Sequence, residues 1–511
     1  MYPGAHAQNN PDRPALIVAE TGAVTTYGQL EQRSAALARV LHDAGLRRGD
    51  VVAVLTDNAP EAMEVYWATQ RSGLYVTAIN HHLTAPEAAY IVNNSGARAL
   101  IAAASLEDLS TDVAKQVEGP SLRLAFGGAV SGYESYEQAL EQAGPPLTER
   151  PAGAVMLYSS GTTGFPKGVR PPLSDRNVED PGEPIVTIGQ ALFGLGEGDV
   201  YLSQAPIYHA APLRWCGSVQ ALGGTVLMAK KFVAEDTLRY IEKYRVTATQ
   251  MVPTMFVRLL KLDEEIRTRY DLSTLRVVIH AAAPCPVDVK KAMIDWLGPV
   301  IYEYYASTEA HGMTFIDSKD WLEHPGSVGR SVLGPLHICD DEGREVPPGT
   351  VGTVYFARDE MPFEYHGDPD KTKEAQHPEH PFWTTVGDLG YVDEDGYLYL
   401  ADRKSFMIIS GGVNIYPQEI ENELALHPAV HDVAVIGVPD PEMGEQVKAI
   451  VQPAAGVTGD DALAQELIDY VRERIAHYKA PRSVDFIDEL PRTPTGKLVK
   501  GKLRERYVDK S

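Results

Sequence analysis

The run Tyr158-Ser159-Ser160-Gly161-Thr162-Thr163-Gly164-Phe165-Pro166-Lys167-Gly168-Val169 follows directly on an apolar stretch, Ala154 to Leu157. Its glycines let the backbone turn tightly and bring N–H groups to an anion, its hydroxyls add donors, and Lys167 adds a positive charge. Ser159, Ser160, Gly161, Thr162, Thr163, Gly164 and Lys167 are thus built to hold phosphate. The loop is not of the Walker type, because Pro166 precedes Lys167 and Gly168 follows it in place of Ser or Thr. A polar surface turn is the bland alternative, and this order of residues is too specific for it.

Four later stretches carry groups that could serve the same chemistry: Tyr305-Ala306-Ser307-Thr308-Glu309, Val386-Gly387-Asp388-Leu389-Gly390, Asp402-Arg403, and Pro491-Arg492-Thr493-Pro494-Thr495-Gly496-Lys497. Taken singly they say little. A Thr-Glu pair is more often a solvated helix start, Asp388 and Arg403 would be ordinary surface charges, and lysines near a C-terminus are usually solvated, as is expected of Lys500, Lys502 and Lys510.

In this order, from Tyr158 to Lys497, the five motifs resemble those of the adenylate-forming superfamily, which comprises acyl- and aryl-CoA ligases, nonribosomal peptide adenylation domains and beetle luciferases. Tyr478-Lys479-Ala480-Pro481-Arg482 and Val438-Pro439-Asp440 look like segments of fatty-acid and aryl-CoA ligases. The resemblance implies an ATP-dependent acyl-CoA ligase that activates a hydrophobic carboxylic acid as acyl-AMP, releases pyrophosphate and passes the acyl group to coenzyme A. Its alternative is a stand-alone adenylating enzyme that loads a carrier protein or catalyses one half-reaction. ATP, Mg²⁺ and coenzyme A are the implied cofactors and co-substrates.

The resemblance also implies roles. Tyr305 would lie against adenine, with Ala283 nearby, and Thr308 would donate to phosphate. Glu309 would offer a hard oxygen to Mg²⁺. Asp388 and Arg403 would hold the ribose, and Lys497 would stabilise charge building up as a carboxylate attacks the α-phosphate. After adenylation the small domain would turn about a hinge at Ser405, bringing Gly411, Gly412 and Lys479 to a pantetheine channel. His209 matches a gate between acyl pocket and nucleotide, a buried structural histidine being the equal alternative. Trp215, Ala281, Ala282, Gly312 and Met313 would line the acyl pocket, which suits a fatty, aromatic or polycyclic acid alike. Three departures stand out: Ala306 replaces a usual glycine, Ser405-Phe406 replaces a commonly charged pair, and Arg170-Pro171-Pro172-Leu173 lacks a Thr-His often found there.

These groups need a scaffold. The 511 residues exceed what one hydrophobic core organises. Apolar runs of strand length at Val51 to Leu55, Ala99 to Ala103, Val155 to Tyr158 and Val277 to Ile279 alternate with helical stretches such as Glu31 to Ala44 and Thr237 to Tyr244. That pattern predicts an α/β fold: a large N-terminal domain of several subdomains with mostly parallel sheets, residues 1–402. Asp395-Gly396 signals a hairpin, Pro417 opens an amphipathic helix, Val433 to Val438 reads as a strand, and Leu463, Leu467, Val471 and Ile475 recur at fours. Residues 403–511 are therefore expected to form a small, mobile α+β C-terminal domain, with the boundary near Arg403 to Ser405.

Lys plus Arg total 46 against 70 Asp plus Glu, a net charge of -24 that argues against nucleic acid as a partner. Three scattered cysteines fit a reducing, cytoplasmic setting, and no apolar run of membrane-spanning length is present. A homodimer is left open.

Overall fold

The computed structural model describes residues 2–159, 166–403, 406–411, 413–492 and 498–508, the side chains of Ser159, Arg403 and Val508 excepted. Two large sheets dominate the first 330 or so of these. In a six-stranded sheet the order is Glu134–Ser135, Leu122–Phe126, Ala97–Ala103, Val51–Leu55, Tyr75–Ile79 and Ala154–Val155, and every pairing is parallel. In a nine-stranded sheet, six adjacent parallel strands (Ile301–Ala306, Val277–His280, Ala248–Met251, Val200–Ser203, Thr225–Met228 and Pro14–Val18) are flanked by antiparallel edges.

The runs Val51–Leu55, Thr225–Met228 and Val277–His280 are buried at every residue, as strands covered on both faces must be. Helix Tyr27–Asp43 starts four residues before the expected Glu31, because Thr26 and Gln29 close a capping box at its N-terminus. Together with Glu61–Gln70 and Ala210–Ala221 it fills the space between the sheets, where Leu37, Val65, Trp67, Leu213 and Trp215 join one core. The expected strand Val155 to Tyr158 divides at Met156. Ala154–Val155 completes the parallel sheet, and Leu157–Ser159 leaves it to pair antiparallel with Lys167–Arg170, which in turn pairs with Glu364–Tyr365.

An antiparallel sheet follows, built on Leu336–Cys339, Gly352–Ala357, Asp388–Val392 and Leu398–Arg403. The Asp395-Gly396 turn joins its last two strands, with Gly396 at a φ of 81° that suits glycine. From Ile408 onward a separate five-stranded sheet is centred on the long hairpin Val430–Asp440 and Gly444–Pro453. Alternation sorts its side chains. Val433, Val435, Ala449 and Val451 face Leu424, Leu463 and Leu467 from helices Pro417–Ala425 and Asp461–Arg472, while Ala434, Ile436, Val438 and Ile450 face Leu503 of helix Lys500–Val508.

That last helix corrects one expectation. Lys500 is not solvated: it is 6% exposed, its Nζ lies 2.8 Å from the buried Glu421 carboxylate and 5.3 Å from the centre of the Phe406 ring. The helix covers the second face of the sheet, so its first residue is driven against the sheet's edge, where only a paired ammonium is tolerated.

One contact between the sheets bears on the later site. Asn58, at the end of strand Val51–Leu55, donates from Nδ2 to Ala205 O (3.1 Å) and Ala229 O (2.9 Å) and accepts from Ile207 N (2.8 Å). It fastens the turn that leads into His209. Asn58→Ala strands three backbone groups in a dry interface and is expected to cost about 2 to 4 kcal/mol. Chemical unfolding checks the cost, and hydrogen exchange should show faster opening at residues 205–209.

Candidate active site

Strands Val277–His280 and Ile301–Ala306 run parallel side by side, with His280 opposite Glu303. Where they end, the chain turns through Ala281, Ala282 and Ala283 on one side and Ser307, Thr308, Glu309 and Ala310 on the other. A crevice outside the carboxyl ends of parallel strands is the usual ligand position in open α/β sheets. Both turns are strained: Ala282 has φ 76° and Ala310 φ 50°, two of the three non-glycine residues described with positive φ. Each such residue costs of order 1 to 3 kcal/mol and persists only where its surroundings enforce it.

The enforcement lies directly beneath. Lys290, on the helix that follows the first turn, is fully buried with its Nζ 2.5 Å from Glu303 Oε2, and His280 Nε2 is 3.3 Å from the same oxygen. Burial alone would raise the Glu303 carboxyl, but His280 and Lys290 outweigh it and bring it down to about 2. Burial holds His280 below its ordinary value against the pull of Glu303. The ion pair thus ties the helix after the first turn to the strand before the second.

Above that floor, Tyr305 donates to Asp388 Oδ2 at 2.7 Å, linking the nine-stranded sheet to the antiparallel one. Asp388 is 8% exposed and sits directly across the hairpin from Arg403. Two residues expected at one sugar are therefore cross-strand neighbours, with Tyr305 joined to one of them. Glu309 is 8% exposed and accepts at Oε1 from Tyr365 OH (2.9 Å), and Lys167 Nζ stands 5.8 Å from the centre of the same Tyr365 ring. Thr308 and Ala283 are half-buried on the two turns.

On the apolar side, Trp215 is fully buried and donates to Tyr304 OH (3.3 Å), which also accepts from Gln250 Nε2 (3.2 Å). Met313 and Ala281 are buried in the same core as Trp215. Gly312 has a packing reason for its small size, since a Cβ there would overlap the Phe356 ring. His209 precedes helix Ala210–Ala221 and its ring lies 4.5 Å from that of Tyr208, which in turn meets His81 edge-on at 5.3 Å.

Gly411 and Lys479 belong to the C-terminal sheet. Gly411 has φ 57° and donates to Met443 O, and Lys479 is held by both oxygens of Glu419 at 2.8 and 2.6 Å. Beside them is a groove of about 450 Å³ lined by Gly411, Val413, Met443, Arg472, His477 and Arg482. Ser160, Gly161, Thr162, Thr163, Gly164, Ser405, Gly412 and Lys497 lie outside the described residues, as do the side chains of Ser159 and Arg403.

Sequence reasoning missed Tyr365 and His311. A single tyrosine on a two-residue strand carries no pattern that marks it. His311 is fully buried, hydrogen-bonds through Nδ1 to Ser307 Oγ (2.8 Å), and is held below its ordinary value by burial. Among the described residues no group of three or more His, Cys, Asp or Glu could hold a metal by itself. Magnesium does not need one, because it usually takes one or two carboxylates plus phosphate oxygens and water. A buried Glu309 with a neutral donor and no cation within ion-pair distance among the described residues fits that use.

Residues 4–365 match the profile of the AMP-binding enzyme family, and residues 419–497 that of the AMP-binding enzyme C-terminal domain. The chain is 35% identical to a feruloyl-CoA synthase of Amycolatopsis sp over 99% of its own length and 98% of the relative's. It is 32% identical to the fatty acid--[acyl-carrier-protein] ligase ScoC of Streptomyces coeruleorubidus, over 98% and 95%. Among solved structures it resembles the anthranilate CoA ligase AuaEII in complex with anthranoyl-AMP, with a TM-score of 0.84, 26% identity and coverage of 99% and 96%.

Glu303→Gln would leave Lys290 without its counter-charge in the interior, at an expected cost of about 3 to 5 kcal/mol. Because the folded carboxyl lies near 2 against an ordinary 4.5, the stability it adds is complete above about 4.5 and is lost as pH falls toward 2. Thermal unfolding of parent and variant should differ widely at neutral pH and converge below about 4.5. A gap that stays constant down to acid pH would contradict this.

Proposed function

The chain belongs to the AMP-binding enzyme family, in its acyl-CoA ligase branch, and from that premise we propose how its residues carry out acid activation and thioester formation. The observation that carries the reading is two sets of contacts around the end of strand Ile301–Ala306: Tyr305 donates to Asp388, and Glu309, four residues on, meets Lys167 at the Tyr365 side chain. There a nucleoside triphosphate would meet a cation, a carboxylate with no paired cation among the described residues, an aromatic ring and a ribose acceptor. An oxygen of the acid's carboxylate attacks the α-phosphorus and pyrophosphate leaves. The thiol of coenzyme A, losing its proton, then attacks the acyl carbon and AMP leaves.

In this reading Lys167 and the loop before it hold the phosphates, Tyr305 lies along adenine, and Asp388 with Arg403 holds the ribose. Glu309 would hold Mg²⁺, which when bound neutralises part of the triphosphate charge. Lys497 stabilises the attack on phosphorus. The groove beside Gly411, with Arg472, His477 and Arg482 along its rim, gives the polyanionic end of coenzyme A a cationic seat. Residues 403–511 act as the mobile unit. The work is assigned to the cytoplasm, by a monomer or a homodimer; no helix among the described residues is long and apolar enough to cross a membrane.

The acid is a hydrophobic one. Within that class the buried Gln250 Oε1 and Tyr208 OH, neither with a hydrogen-bond partner among the described residues, favour an aromatic acid with a polar ring substituent over a plain alkyl chain. The second reading, transfer to a carrier protein, is favoured by the likeness to the carrier-protein ligase named above.

Two experiments decide. Pyrophosphate release is measured for hydroxylated aromatic, plain aromatic and alkyl acids, with coenzyme A or a phosphopantetheinylated carrier as acceptor; release with every acid absent from the products of both acceptors would overturn the ligase assignment. Lys497→Ala should slow adenylation by about 2.7 to 4 kcal/mol in the barrier while sparing transfer from a supplied acyl-adenylate. Adenylation within about twofold of the parent would remove Lys497 from the mechanism.

A further inference from the structure

Tyr365 stands at the meeting point of two opposite charges and bonds to neither as a charge would. Its hydroxyl donates to Glu309 Oε1 at 2.9 Å, its ring faces Lys167 Nζ at 5.8 Å, and no ion pair joins Lys167 to Glu309 within 4.0 Å. The ring itself is 9% exposed and fixed from several sides. It packs with Val169, Phe363 and Ala375, its backbone pairs with Val169, and its N–H donates to Thr372 Oγ1 at 2.9 Å. A side chain held this firmly does not yield when the two charges attract.

We propose that Tyr365 is a positioning residue that keeps Lys167 and Glu309 apart and oriented, so that each keeps its full charge for a polyphosphate and its cation. The physical basis is twofold. A phenol is a neutral donor, so it orients a carboxylate without neutralising it, unlike an ammonium or guanidinium. The ring face attracts an ammonium through its quadrupole, which holds Lys167 without offering a counter-anion. Remove the ring and the lysine is free to fall onto Glu309, cancelling the two charges the nucleotide needs. Nothing in the sequence around Glu364-Tyr365-His366 marks this function; it follows from the two contacts.

The inference rests on the nucleotide reading of the crevice, and its test separates the two. ATP binding to the parent is measured by calorimetry in magnesium and in chelator, and Mn²⁺ bound with ATP is followed by electron paramagnetic resonance. Parent protein that binds no nucleotide overturns the nucleotide reading, and with it this one. Given parent binding, Tyr365→Phe keeps the ring and loses the hydroxyl. It should need about tenfold more metal for half-saturation, the scale expected when a group supporting a metal ligand is lost, with ATP affinity in chelator unchanged. Tyr365→Leu loses both contacts and should also weaken ATP binding in chelator. Thermal unfolding of each variant identifies misfolding, and Tyr365→Phe, which preserves the packing, keeps the test decisive if Tyr365→Leu fails to fold. Unaltered metal dependence in Tyr365→Phe, or equal weakening with and without metal, overturns the proposal.

Discussion

The hydrogen bond from Tyr305 to Asp388 joins the last parallel strand of the nine-stranded sheet to the antiparallel sheet that follows it. Other polar contacts join the same two sheets farther off, among them the backbone bonds of Val328 and Gly329 with Leu398 and the bond from Tyr397 OH to Asp320, but this one lies between two residues expected at the nucleotide. Asp388 lies opposite Arg403 on its hairpin, and Glu309 is four residues beyond Tyr305, so this bond helps to set a carboxylate from each sheet relative to the other. The crevice is therefore defined by a polar contact between rigid elements, which is how preorganised sites reach the precision that loops alone do not.

The interior treats its charges in two opposite ways. Lys290 and Glu303 are paired at 2.5 Å and bear on structure, holding the strained turns at Ala282 and Ala310 in place. Glu309, a few residues along the same chain, is buried and among the described residues is given a phenol and no paired cation. The contrast is physically costly, since an unpaired buried carboxylate is disfavoured. A site that binds a cation with its ligand recovers that cost on binding, whereas a structural carboxylate such as Glu303 must be compensated at all times.

Much of this was legible in the sequence because the signals were local. Apolar runs such as Val51 to Leu55 and Val277 to Ile279 announced strands by composition, Gly396 announced its hairpin, and Pro417 its helix. The order of motifs from Tyr158 to Lys497 pointed to the nucleotide chemistry, and in the structure Tyr305 touches Asp388 while Glu309 and Lys167 share Tyr365. What stayed hidden depended on contacts between distant residues. Tyr365 reaches Glu309 across 56 positions of sequence and Asn58 reaches Ile207 across 149, and no periodicity encodes either. The split of the Ala154 to Ser159 run at Met156 was hidden for the same reason, because the partner strand that draws Leu157–Ser159 away begins only at Lys167. Lys500 looked like any tail lysine until a helix covered a sheet face and closed over it.

That covering helix makes the C-terminus a structural seal. Ala434, Ile436, Val438 and Ile450 form a contiguous oily strip on the second face of the C-terminal sheet, and Leu503 is the principal side chain closing it from the helix Lys500–Val508. A protease that clips this chain after Leu498 would do more than trim a tail. It would bare a strip of β-surface alongside a buried Glu421 that has lost its ammonium, a combination that invites self-association. The tail is therefore part of the sheet's cover, and the fold of this unit includes it.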